Sequence, residues 1–93
     1  VNILPVGSTQ ASSADQTFGA TGQVLLFLTD ADGGYSPVDA QVNVEFKAAS
    51  GVYMRQAMLS YEKSSMLISA IAGTVFRVTR IAGTVGVDAQ GNA

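Results

Sequence analysis

The chain reads as all-β: a small antiparallel β-sandwich of about seven short strands, Ig-like or jelly-roll-like, with an extended N-terminal arm. Three observations predict this. The stretch QVNVEFKA alternates strictly, with Val42, Val44 and Phe46 on one side and Asn43, Glu45 and Lys47 on the other, the period of a half-buried strand. Short apolar runs recur between glycine-rich turns, and no window keeps an apolar stripe at helical spacing over the length of a helix. The pentapeptide IAGTV occurs twice, at residues 71–75 and 81–85, one strand plus one turn apart. Each copy sets Ala-Gly before a Thr-Val pair that starts a strand, so the repeat reads as punctuation of the fold.

Residues 1–22 are the expected arm and tether, ahead of a sandwich domain at 23–93. Val1, Ile3, Leu4 and Val6 make a short apolar cluster. The polar stretch behind it, GSTQASSADQTFGATG, offers little apolar area besides Phe18 and cannot fold by itself. Such a tip either docks on a neighbouring surface or adds an edge strand to the chain's own sheet, and the pattern admits both equally.

Further along, GQVLLFLTD is a continuous apolar run between turn residues, expected as a strand buried on both faces. QVNVEFKA follows, AASG turns the chain at Ser50 and Gly51, and VYMRQAML returns as the second arm of a hairpin. YEKSS is a solvated loop. MLISAIAG could be scored as one or two helical turns, but Gly73 and the β-branched residues after it favour a strand. VFRVTRI and TVGVD close the series, with Phe76 and Val78 inward and Arg77 and Thr79 outward. Arg80 falls on the Phe76 face, where it ends the strand at its rim or meets a carboxylate on a partner. Met54, Met58 and Met66 are expected to fill gaps in the core.

Composition narrows the chemistry. In 93 residues there is no cysteine, so neither a disulfide framework nor a thiolate metal site is expected. Histidine and tryptophan are absent too, which removes the usual general base near neutral pH and the usual nitrogen ligand for transition metals. The seven carboxylates include one loose group, Asp30, Asp32 and Asp39, in a loop without a base or nucleophile beside it. No enzyme, metal or other cofactor is expected. Within that loop, TDADGGYSP opens like a calcium loop but has no closing glutamate, and an ordinary Asp-Gly turn accounts for it. A net charge of −2 with only five basic residues argues against nucleic acid, despite the interleaving of Tyr53 with Arg55 and of Phe76 with Arg77. The start has no basic residue before its short apolar run and is not expected to be a secretory signal, and no run is long enough to span a bilayer as a helix.

Only 13% of residues are charged, about half the usual share, while Ala, Gly, Ser and Thr fill 39 of the 93 positions. A surface so weakly charged buries at low cost in side-chain entropy and does little to guard its sheet edges. The two-sided runs VLLFL and MLISAIA hold more apolar surface than one small sandwich hides, so part of an outer face is expected to be an interface.

The arm VNILPVGSTQASSAD, the short-stranded VNVEFKAASGVYM and the glycine-punctuated AGTVFRVTRIAGTVGVDAQG together resemble the small β-sandwich decoration, or cement, proteins of tailed bacteriophage capsids. The resemblance covers the whole chain by plan rather than by a diagnostic motif. It implies a non-enzymatic virion protein, made in the host cytoplasm, that binds the outside of a preassembled shell. Its partner would be the major capsid protein or another virion protein, neighbouring capsomers would be cemented, and the protein would act as a homotrimer. Contacts are expected from Val1, Ile3, Leu4 and Val6 of the arm, from Arg77 and Arg80, and from Tyr35. A phage tail, fibre or adaptor component is the second expectation. A carbohydrate- or calcium-binding sandwich, using Asp30 to Asp39 and a sugar stacked on Tyr35, is the third.

Overall fold

A computed structural model of the chain describes residues 1–30 and 38–91. It is an antiparallel two-sheet β-sandwich. The strands are β1 (Asn2–Gly7), β2 (Ala11–Ser12), β3 (Gln16–Thr17), β4 (Gly22–Thr29), β5 (Gln41–Lys47), β6 (Tyr53–Ser60), β7 (Ser65–Ala70), β8 (Val75–Ala82) and β9 (Val85–Gly91). One sheet runs β1-β9-β4-β7; the other runs β2-β8-β5-β6, with β3 also paired to β8. Among the described residues the body expected to hold about seven strands holds six, β4 to β9, and the N-terminal segment adds three, of which β2 and β3 are only two residues each.

The hairpin at Ser50 and Gly51 forms as expected: β5 and β6 pair in antiparallel register, and Gly51 takes φ 89°. MLISA is in a strand, β7, and YEKS at 61–64 is the exposed turn before it, Ser65 already belonging to the strand. Both IAGTV copies are corners at which the chain crosses from one sheet to the other. The first carries β7 of the four-stranded sheet into β8 of the five-stranded one, and the second carries β8 back into β9. Gly73 and Gly83 sit at those corners with φ of 89° and 87°, a left-handed conformation that costs a residue with a Cβ. They differ in room: a Cβ on Gly73 would meet open space, whereas one on Gly83 would fall 2.6 Å from the Ala40 Cα.

Two expectations about the elements change. VLLFL is buried on one face only: Val24, Leu26 and Leu28 enter the core while Leu25 and Phe27 face outward. In an antiparallel sheet with no second layer over its outer side, alternation persists even where the sequence does not display it. Of the three methionines only Met66 fills the core; Met58 is exposed at an outward position opposite Asn43, and Met54, opposite Phe46, is exposed on β6, beyond which no strand lies among the described residues.

The largest change is at the N-terminus. Within residues 1–22, Asn2–Gly7, Ala11–Ser12 and Gln16–Thr17 are strands paired to the two sheets, joined by turns and irregular stretches. Asn2–Gly7 pairs with β9, so of the two readings the chain's own sheet is the one realised. Leu4 is buried in the core, worth about 2 kcal/mol of apolar burial. Phe18 is buried too, its ring tilted at 57° to that of Phe76 with centroids 5.7 Å apart. Its backbone clasps the first corner: the Phe18 N–H donates to the Thr74 carbonyl at 2.9 Å, and the Gly73 N–H to the Phe18 carbonyl at 2.8 Å. Two large apolar anchors thus hold a stretch whose composition is otherwise that of a loop.

Candidate interaction surfaces

The outer face of the five-stranded sheet is a connected polar network. Thr79 and Arg77 stand on β8, Glu45 and Lys47 on β5, and Tyr53 on β6, all at outward positions of paired strands. Arg77 Nε donates to Glu45 Oε1 at 2.8 Å, and Thr79 Oγ1 donates to the same oxygen at 2.6 Å. The Thr79 hydroxyl has one proton, already given to Glu45, so in its 2.8 Å contact with Ser12 the serine is the donor. The Arg77 guanidinium carbon lies 3.5 Å from the centroid of the Tyr53 ring, a cation–π stack. At the rim, Tyr53 donates its hydroxyl proton to Asp15 at 2.6 Å, and Lys47 reaches the other Asp15 oxygen at 3.3 Å.

These contacts set the ionisation of the face. The hydrogen bond from Tyr53 holds Asp15 below the usual aspartate range, with Lys47 assisting. Burial works against the Glu45 carboxylate, yet the bonds from Thr79 and Arg77 and the Arg77 charge outweigh it and bring its pKa down. The bonds to Asp15 push Lys47 and Tyr53 upward. Each shift favours the bonded form, so the groups satisfy one another.

The outer face of the four-stranded sheet differs in kind. β4 and β7 contain no charged residue. Leu25 and Leu67 are cross-strand partners and are 37% and 58% exposed, with Phe27 next along the same face. At one end Ile71, 71% exposed, borders a shallow open depression floored by Gly22, Gln23, Ser69 and Ala70. This is the two-sided apolar excess that the runs VLLFL and MLISAIA foreshadow.

The residues expected to touch a partner scatter. Leu4 is in the core, and Ile3 packs half-buried against it. Val1 is exposed, its ammonium group bonded to the Ala89 carbonyl at 3.0 Å, and Val6 is exposed on β1. Tyr35, with Asp32 and most of the TDADGGYSP loop, lies outside the described residues. Arg77 is committed to Glu45 and Tyr53. Arg80 is 5% exposed, neither ending the strand at an open rim nor facing outward. Instead Nε donates to the Thr9 carbonyl at 2.6 Å, and one terminal nitrogen to the carbonyls of Pro5 and Val85 at 2.9 and 2.8 Å. From β8 of one sheet it therefore ties down β1, the turn after it and β9 of the other. A Cβ on Gly7 would lie 2.7 Å from the guanidinium, which is why the strand can pass over it.

Asp15, Glu45, Lys47 and Tyr53 had no sequence signal marking them as a group. Among the described residues no cluster of metal-ligating side chains occurs, and no helix is long and apolar enough to cross a membrane. In comparisons with known proteins, the chain matches no family model, no curated protein and no solved structure.

Proposed function

We propose that this chain is a non-enzymatic structural protein that binds the outside of a preassembled bacteriophage capsid and cements neighbouring capsomers, with the outer face of β4 and β7 as its docking surface. The observation that carries the reading is the outer surface of β4 and β7, which bears Leu25, Phe27 and Leu67 and no charged residue, and which Asp88 of β9, held by the Asn2 amide, borders beside Phe27. Docking on a finished lattice needs a surface that desolvates at low cost, and a face of apolar and small hydroxyl side chains provides one. The opposite face suits the solvent side, because it carries the bonded charges of Asp15, Glu45, Lys47 and Arg77 together with the exposed Arg55. The plan of the chain, which resembles capsid decoration proteins, supplies the partner class. Leu4 and Ile3 of the arm are spent on the chain's own core, which leaves Val1 and Val6 as the arm's exposed apolar residues.

The test is a pelleting assay with purified capsids stripped of decoration. Wild-type protein should sediment with the shells, and Leu25→Lys should stay in the supernatant while its circular dichroism is unchanged. Equal binding by Leu25→Lys would remove this face from the interface. Sedimentation with tails or fibres but not with shells would transfer the protein to a tail, fibre or adaptor role.

A further inference from the structure

A sandwich of this kind has four sheet edges, and here three are guarded against pairing with another chain. β1 carries Pro5 and two register irregularities. The edge formed by β2 and β3 is broken into two-residue pieces. β6 carries Arg55 and a bulge opposite the Val44–Glu45 step. The fourth, β7, has none of these devices: SMLISA is six residues without charge, proline or bulge, paired in unbroken register to β4. Among the described residues no strand pairs with its other side.

The register tells which backbone groups face that open side. The Leu28 N–H donates to the Ser64 carbonyl, so the even-numbered residues of β7 exchange hydrogen bonds with β4. The N–H and C=O groups of Ser65, Leu67 and Ser69 therefore point away from the sheet. The strand is also palindromic in character about Leu67: Ser65 answers Ser69, and the inward Met66 answers the inward Ile68.

We infer that β7 pairs antiparallel with β7 of a second copy about a two-fold axis beside Leu67, joining two four-stranded sheets into one. In that register Leu67 faces Leu67 of the second copy as a hydrogen-bonded pair, and Ser65 faces the second copy's Ser69. Every outward N–H and C=O of these three residues then finds a partner. Shifting the axis by one residue opposes Ser65 to Leu67 and leaves a serine unmatched. Inward residues stay inward and no like charges meet, because the strand carries none. The two-fold also aligns Leu25 and Leu67 of both copies in one apolar stripe on a single face. An isologous pair closes on itself and leaves no open edge to propagate. This rests on the edge and its register alone, independently of the capsid reading, and it gives a dimer where the family resemblance implies a trimer.

Cysteine trapping without shells tests it cleanly, since the chain has no native cysteine. Hydrogen-bonded antiparallel partners have Cα atoms about 5.5 Å apart, within disulfide reach. Leu67→Cys should cross-link to a covalent dimer under mild oxidation. Ser65→Cys alone should not, because its two copies would lie roughly 15 Å apart across this register, whereas an equimolar mixture of Ser65→Cys and Ser69→Cys should. Sedimentation equilibrium should give a dimer for wild type and for Leu25→Lys, and a monomer with native circular dichroism for Leu67→Lys. A wild-type monomer or trimer, Ser65→Cys cross-linking as readily as Leu67→Cys, or a Leu67→Lys variant that stays dimeric would each overturn the pairing.

Discussion

The two outer faces of this sandwich handle scarce charge in opposite ways. On the five-stranded sheet, Glu45, Arg77, Thr79, Tyr53, Lys47 and Asp15 are drawn into one bonded network spanning β2 to β6. On the four-stranded sheet, β4 and β7 present leucine, phenylalanine and serine and no charge at all. A polar group already bonded to its neighbour gains little from a new partner, whereas exposed leucine and an unpaired backbone edge gain from being covered. The charged face is therefore the quiet one. Adhesion is expected from β4 and β7, which carry no charged side chain.

The contrast can be broken most severely at the tie between the sheets. Arg80→Leu leaves the buried Val85 carbonyl and the part-buried carbonyls of Pro5 and Thr9 without their donor, and the loss should exceed about 3 kcal/mol, a large part of the stability of a small domain. Urea titration should show the variant unfolded or close to it, and a midpoint near wild type would mean that water replaces the guanidinium. Glu45→Ala comes next. It strips Thr79 and Arg77 of their common acceptor and should cost about 1–3 kcal/mol with no change in association. Leu67→Lys should do the reverse, altering association while stability stays within about 0.5 kcal/mol.

Acid and base sharpen the comparison further. The pKa values of Asp15 and Glu45 are lowered by folding, so their contribution is complete above the ordinary carboxylate range and is lost as pH falls through it, below about pH 4. Those of Lys47 and Tyr53 are raised, so their contribution holds below their ordinary values and is lost as pH climbs past about 10. Urea midpoints should fall at both limits, whereas the β4–β7 face, having nothing to titrate, should keep its apolar character throughout. The smallest expected effect belongs to Tyr53→Phe. The Arg77 stack survives, stability barely changes, and the Asp15 carboxyl resonance should titrate at higher pH than in wild type.

How much of this was legible in the sequence varies from one element to the next. β5 was plain because its apolar residues alternate, and the two corners were plain because Ala-Gly before Thr-Val recurs at strand-plus-turn spacing. β4 was read as a strand but as buried on both sides, since a continuous apolar run gives no clue to which face lacks a cover. Arg80 could be placed on the Phe76 side by counting in twos, yet its partners could not be found, because a backbone carbonyl has no signature in the sequence. The polar network was equally hidden: Asp15 is 38 residues from the tyrosine it binds.

By itself, then, the sequence determined that the chain is all-β, where its hairpin and its two glycine turns at Gly73 and Gly83 lie, and that its surface is poor in charge. These follow from local backbone preference and the two-residue period, which act over a few positions. Only the tertiary structure decided that Asn2–Gly7, Ala11–Ser12 and Gln16–Thr17 pair into the sheets, that Arg80 points inward to bind the first of them, and that the bonded charges and the bare apolar strands lie on opposite faces. Those outcomes depend on which strands become neighbours, and that is fixed by the packing of distant anchors such as Leu4 and Phe18 into one core.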